Sequence, residues 1–174
     1  FNPSIVFDTA QDSLILPLGI ASKRKQTLFM VYKVKDSLKE QFLWTINDPQ
    51  KTLSVATNKR LVDLKKYSYR SYKENLKPHK ANIHFFQQNI TDSIARLSSL
   101  TIGQKSKFEK LPPEEFQGNI SEILVYNRVL SGRETQKVAS YLAIKYGISL
   151  SQYDFKNYVN SQGETIWDIE KHKG

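Results

Sequence analysis

The sequence predicts an all-β fold in which antiparallel sheets pack as a sandwich, with one helix near the C-terminal end. Three observations point to it. Apolar and aromatic runs of strand length recur up to Tyr126, parted by turn-forming residues. Nine Phe, nine Tyr and two Trp supply the large side chains that a sheet-packed interior takes up. Helical spacing emerges only once, after Ser131, so the helices that alternating βαβ units require are missing from the pattern.

Ile5-Val6-Phe7 and Leu14-Ile15-Leu16 read as two short strands joined by a polar turn over 8–13. Thr27 to Val34 is dense in β-branched and aromatic residues, as a buried strand is. Phe42 to Ile46 follows, closed by Asn47-Asp48-Pro49, where proline denies the ladder an N–H. Leu53 to Thr57 alternates with period two, which predicts one buried and one wet face. From Leu61 to Ala81 the pattern weakens and charge rises, leaving loops or short irregular strands. Ile83 to Gln88 and Ser99 to Gly103 read as strands, and Lys105 to Glu115, with Pro112-Pro113, as a loop. Ile120 to Tyr126 is the last strong strand, its odd and even positions expected on opposite faces.

Ser131 stands where a helix N-cap is needed, and Glu134, three residues on, completes a capping box. Val138, Tyr141, Leu142 and Lys145 share a face at i, i+3, i+4 and i+7, which predicts that this stripe docks on the sheet. Gly147 offers the left-handed C-terminal cap. Residues 1–150 form the expected domain. Residues 151–174 form a tail expected to pack on it through Tyr153, Phe155, Tyr158 and Trp167, because large aromatics left in water over so short a span would be costly.

A chain of 174 residues, 39% hydrophobic and 25% charged, fits one domain with one core. No run reaches the roughly 18 to 20 apolar residues of a membrane span. The opening Phe1-Asn2-Pro3 carries neither a starting Met nor a charged and apolar leader, so the chain reads as a piece of a longer protein with any export signal outside it. The absence of cysteine removes zinc ribbons, iron–sulfur sites and thiol nucleophiles, and leaves the redox compartment open. A formal charge of +9 invites an acidic partner such as an anionic polysaccharide, lipid headgroups or nucleic acid, of which nucleic acid is not the expected one. The basic residues crowd between Lys51 and Lys80, opposed there only by Asp63 and Glu74. Interleaved Tyr67, Tyr69 and Tyr72 give a mixture that can grip a polyanion. The plainer reading is a solvated stretch whose lysines keep strand edges from pairing.

The segment Phe116-Gln117-Gly118-Asn119-Ile120-Ser121-Glu122-Ile123-Leu124-Val125-Tyr126-Asn127-Arg128-Val129-Leu130-Ser131, continued by Tyr141-Leu142-Ala143-Ile144-Lys145-Tyr146-Gly147-Ile148, resembles the closing signature of concanavalin A-like lectin/glucanase superfamily modules. These are the laminin G-like modules of secreted surface proteins of Gram-negative bacteria. Pro3 to Asp8 followed by Leu14-Ile15-Leu16 is similar to the opening strand pair of that family, and Ile102-Gly103 to the strand before its variable loop, so the resemblance spans residues 1–150. Tyr158 to Asp168 is similar to a segment that often leads into the next part of such proteins. The resemblance implies a jelly-roll sandwich, an extracellular or cell-surface location, and an interaction role in adhesion or carbohydrate binding, with a glycan, a host or matrix protein, or neighbouring modules as partners.

The resemblance also frames the chemistry. Glucanases of the superfamily carry E-x-D-x-x-E on one strand, because retaining hydrolysis wants two carboxyl groups about 5 to 5.5 Å apart. Asp168-Ile169-Glu170 is the nearest echo and lacks the leading glutamate; Glu114 and Glu115 fall in the expected loop and Glu122 is a lone acid. No catalytic residue is therefore expected. His79, His84 and His172 show no metal-ligand spacing, and the seven glycines are scattered singly, so no phosphate loop is present. Laminin G-like domains often bind calcium at a loop edge, for which Asp8, Asp12, Asp48 and Asp92 are candidates by loop position, against the ordinary role of capping turns. No other cofactor is expected. A sugar site needs an aromatic platform with a few placed polar groups. Trp44, in an apolar strand, reads as core, which leaves Tyr67, Tyr69, Arg70, Tyr72 and Lys73 as the ligand edge. A ligand-free structural spacer and a glycan hydrolase are the alternatives. The triplets at Asp8-Thr9-Ala10, Asp12-Ser13-Leu14, Asp36-Ser37-Leu38 and Asp92-Ser93-Ile94 resemble an O-glycosylation pattern of some exported Gram-negative proteins, with Thr9, Ser13, Ser37 and Ser93 as acceptors.

Overall fold

The computed structural model describes residues 2–9, 12–21, 24–36, 38–47, 52–57, 60–63, 68–71, 80–90, 96–103, 114–150, 157–168 and 170–171. They form a mostly β structure with several sheets and one C-terminal helix. The strands are β1 (Ile5–Phe7), β2 (Leu14–Ala21), β3 (Arg24–Val34), β4 (Gln41–Asn47), β5 (Thr52–Thr57), β6 (Arg60–Asp63), β7 (Ser68–Ser71), β8 (Asn82–Ile90), β9 (Arg96–Ile102), β10 (Glu114–Glu115) and β11 (Gly118–Tyr126). Helix α1 (Gly132–Tyr146) follows, then β12 (Asn157–Val159) and β13 (Thr165–Asp168).

One sheet runs β1-β11-β3-β8, and a second runs β2-β9-β4-β5-β6-β7, with β10 pairing in parallel to β4. β12 and β13 make a separate two-stranded sheet, so more than the two sheets expected from the sequence are present. The opening strands do not pair with each other: β1 joins β11 and β2 joins β9, and the turn between them carries the chain from one sheet to the other. Glu114 and Glu115, placed in a loop by the sequence, instead form β10 beside Gln41 and Phe42.

β3 is covered on both faces. Leu28, Met30, Tyr32 and Val34 enter an apolar cluster with Leu43 and Trp44 of β4, Phe86 of β8, Leu100 and Ile102 of β9, and Phe7 and Phe116. Phe29 and Val31 enter a second cluster with Ile83, Leu130, Ala139, Leu142, Ala143, Ile148 and Leu150. The unbroken apolar run of β3 has this cause, since a strand buried on both sides cannot alternate. The first cluster draws on both large sheets; the second lies between the first sheet and α1.

Along β11 the alternation changes phase. Ile120 belongs to the first cluster, but after a bulge between Ile120 and Glu122 it is Ile123 and Val125 that pack there, while Leu124 and Tyr126 pack on the second. A bulge inserts one residue and so turns the following side chains over. Simple odd and even alternation therefore fails in mid-strand, and Glu122 ends on the helix side.

The helix begins and ends as its caps require. Ser131 Oγ accepts from Glu134 N, and Ser131 N donates to Glu134 Oε2 at 2.8 Å. Arg128 holds the same carboxylate with two nitrogens, at 2.9 and 2.7 Å. Gly147 closes the helix at φ 65°, a conformation that costs glycine little. Half of the predicted stripe docks: Leu142 is buried and Val138 packs on the second cluster, together with buried Thr135, Ala139, Ser140 and Ala143, while Tyr141 and Lys145 are exposed. Small side chains at Ala139 and Ala143, four residues apart, let the helix backbone approach the sheet, and the large Tyr141 falls at the rim, where its hydroxyl keeps a polar neighbour.

The β12–β13 hairpin packs on α1. Val159 N donates to Ser140 Oγ at 3.0 Å, and Gln136 Nε2 donates to Asn157 O at 3.1 Å. The Tyr158 hydroxyl accepts from Leu150 N at 3.0 Å and donates to Ile148 O at 3.1 Å. Of the aromatics expected to dock the tail, Tyr158 does so and Trp167 stays 49% exposed; Tyr153 and Phe155 lie outside the described residues.

Two expectations follow for equilibrium unfolding in urea. Ser131→Ala, which removes the N-cap acceptor, lowers stability by about 1 kcal/mol, and Tyr158→Phe, which removes both hydroxyl contacts, lowers it by about 1 kcal/mol. Glu134, held by the Arg128 guanidinium and then by Ser131, has its pKa lowered to about 2. Its contribution is complete above the ordinary glutamate range and is lost as pH falls from about 4.5 towards 2. Glu134→Gln therefore flattens the acid limb of a stability–pH curve in that window.

Candidate functional site

The ligand edge predicted from the sequence maps in part onto the second sheet. Tyr69 and Arg70 lie in β7, with Cα partners Val62 and Leu61 on β6. Tyr67, Tyr72 and Lys73 lie outside the described residues. Trp44 of β4 stacks against Phe86 and His84 of β8, at ring-centroid distances of 4.8 and 5.9 Å. Among the described residues β8 is the edge strand of the first sheet, and β5, β6 and β7 follow β4 outward in the second, with β7 outermost. The second sheet thus has three described strands beyond β4, the strand whose Trp44 packs on β8.

Asp8, Asp12, Asp168 and Glu114 each have a local partner. Asp12 Oδ2 accepts from Asp8 N and Thr9 N, both at 2.8 Å, and these amides hold its carboxyl below the usual range. Asp8 Oδ1 lies 3.8 Å from Lys35 Nζ. Asp48 and Asp92 fall outside the described residues, among which no group of three or more His, Cys, Asp or Glu side chains could hold a metal. Asp168 Oδ1 accepts from Glu170 N and Lys171 N at 3.0 and 3.3 Å, as a turn cap. Glu114 pairs with Lys39 at 3.0 Å. His84 is buried beside Trp44, and desolvation lowers its pKa to about 4, so it is neutral at physiological pH. Thr9 and Ser13 are exposed, whereas Ser37 and Ser93 are not described.

A further constellation joins β11 to α1. Glu122 Oε2 accepts from Lys145 Nζ at 2.8 Å and lies 2.8 Å from the Tyr146 hydroxyl; Glu122 Oε1 accepts from the Tyr141 hydroxyl at 3.3 Å. Lys145 Nζ also donates to the Tyr141 hydroxyl at 2.9 Å and lies 5.3 Å from both tyrosine ring centres, within cation–π range. Burial pushes the Glu122 carboxyl up, but hydrogen bonds from Lys145, Tyr146 and Tyr141 and the lysine charge outweigh it, so its pKa is lowered overall. Next to it, Pro3, Ser4, Ile5, Ile120, Ser121, Glu122 and Ile123 line a groove of about 310 Å³.

Sequence reasoning missed this cluster. Glu122 stands alone in the sequence, and helical periodicity places Lys145 in the docking stripe. The Tyr141–Lys145 spacing of i, i+4 marks a shared helix face, but nothing local announces the bulge that turns Glu122 towards it.

A family model described as a domain of unknown function (DUF8202) matches residues 134–174. The match takes in most of α1 and the β12–β13 hairpin, and so runs across residue 150. No curated protein matches the chain. No described helix is long and apolar enough to cross a membrane.

The lowered Glu122 pKa means that its contribution is fully present above the ordinary carboxylate range and is lost as pH falls from that range through the lowered folded-state value. Glu122→Gln accordingly lowers the melting temperature at pH 7, and the difference from the parent protein narrows as pH falls below the ordinary glutamate range. Tyr146→Phe costs about 1 kcal/mol at pH 7, read by thermal unfolding.

Proposed function

We propose that this chain is a non-catalytic extracellular interaction module of the concanavalin A-like, laminin G-like type, built as a jelly-roll sandwich and binding carbohydrate or a surface protein. The observation that carries the reading is the continuation of the second sheet beyond β4, with Tyr69 and Arg70 in its outermost described strand. A sheet that runs on beyond its partner layer offers backbone and surface for a ligand, and its outermost strand holds an aromatic and a cationic residue, types that suit a sugar, above all an anionic one. The apolar cluster shared by the two large sheets supports the sandwich. The segment that resembles the family signature forms a strand, a turn and a box-capped helix in succession, which supports the membership.

The acids support a binding role over hydrolysis, since Asp12, Asp168, Glu114 and Glu122 each serve a turn or an ion pair. In this reading the module sits on the surface of a Gram-negative bacterium, within a larger protein. A structural spacer remains the second reading, favoured by the exposed Ile166 and Trp167 of the hairpin, which suit contact with a neighbouring module.

A glycan array carrying neutral and anionic sugars, probed at two salt concentrations, tests the proposal. Salt-tolerant binding to one sugar class is the expected result, and Tyr69→Ala combined with Tyr72→Ala weakens it about tenfold or more while leaving the melting temperature within about 2 °C. Binding that disappears with salt reduces the site to charge alone, and silence on every glycan favours the spacer.

A further inference from the structure

Among the described residues, no strand pairs with the outer side of β11 beyond Ile120. β1 covers it only at Gly118, Asn119 and Ile120, and among the described residues no strand other than β1 and β3 pairs with β11. β1 cannot extend the ladder, because Pro3 has no N–H to give and the Asn2 side chain donates to Lys145 O at 2.9 Å, leading the chain off to the helix end. From Ser121 to Tyr126 the edge contains neither lysine nor proline, and its one charge, Glu122, is turned to the helix and paired. These are the devices that normally block strand addition. Where β1 leaves off lies the groove formed by Pro3, Ser4 and Ile5 against Ile120, Ser121, Glu122 and Ile123.

We propose that this edge captures an extended peptide of a partner protein by strand addition, in line with β1 and antiparallel to β11, and that the peptide alternates aliphatic and acidic residues. Ser121 O already accepts from the Tyr146 hydroxyl at 3.2 Å, so it is the backbone of residues 122–126 that supplies the N–H and C=O groups that only an extended chain can match in register. Side chains of the added strand that face the core meet Ile5, which is 52% exposed, and Ile123. Those on the other face meet Lys145, whose ammonium has given one N–H to Glu122 and one to Tyr141 and keeps a third for a carboxylate. The net charge of +9 draws an acidic strand in. A second copy of this chain, equally basic, is repelled. The site lies on a different sheet from β7, so silence on the glycan array leaves it untouched.

The test uses a fluorescein-labelled peptide of about six residues alternating valine and glutamate, with blocked ends, read by anisotropy. Saturable binding is expected, together with slowed hydrogen exchange at amides within 122–126. N-methylation of one alternating set of peptide amides weakens binding about tenfold or more, whereas methylation of the other set changes it little, because only one edge of the peptide meets β11. Ile5→Lys weakens binding about tenfold with an unchanged melting temperature. The proposal is overturned by an absence of binding at millimolar peptide, by equal weakening from both methylated isomers, or by undiminished binding of a peptide alternating glycine and glutamate, which would show charge acting alone.

Discussion

Burial of β3 on both faces is the constraint on which the other layers depend. Phe29, Met30 and Val31 have no exposed surface at all, and they point by turns to two different apolar clusters. A strand in this position must find a sheet on one side and a helix on the other, or leave a row of large side chains in water. It also needs a neighbour at each edge, which β11 and β8 provide over most of its length. Gly118 shows how close that pairing is: a Cβ there would overlap the Lys33 carbonyl, so the first residue of β11 tolerates no side chain.

The polar residues of this layer fix where α1 sits. Thr27 is fully buried in an otherwise apolar strand, yet its hydroxyl donates to Arg128 O at 2.9 Å and accepts from Leu130 N at 3.1 Å. Gln87 on β8 adds a bond to Leu130 O at 2.8 Å. Together they tie the turn after β11 to the two strands beneath it, so the capping box starts the helix at a set place. The opposite end is held by the Glu122–Lys145–Tyr146 contacts and by Asn2. Buried polar groups are costly unless bonded, and a bonded set admits few alternative arrangements.

Local chemistry was legible in the sequence and long-range geometry was not. The caps at Ser131, Glu134 and Gly147 could be read because a helix end is decided by residues within a few positions of one another. Strand positions could be read from apolar runs for a similar reason; β7 falls inside the stretch from Leu61 to Ala81 expected to hold loops or short irregular strands, and β6 begins one residue before it. The partners of β1 and β2 are a different matter, since nothing near Ile5 or Leu14 states that Ile120 and Ile102 will lie beside them. The helix face is legible at Val138 and Leu142 but not at Tyr141, which counts as apolar in a periodicity argument whereas its hydroxyl places it at the rim. Of the expected ligand edge, Tyr69 and Arg70 stand in β7, a strand that its charged, weakly patterned sequence does not announce. The Glu122 cluster depended on a bulge that no turn residue signals.

The environments of the two tryptophans give the protein a built-in pair of optical reporters. Trp44 is wholly buried between the large sheets, against Phe86, while Trp167 is half in solvent on a hairpin that rests on the helix. An indole in an apolar interior emits at shorter wavelength than one in water. The native emission band is therefore composite, with a blue component from the sheet core and a red one from the hairpin. A hairpin that came away from α1 before the core opened would move only the red component, so order of events along the chain can be followed by colour without attaching a dye.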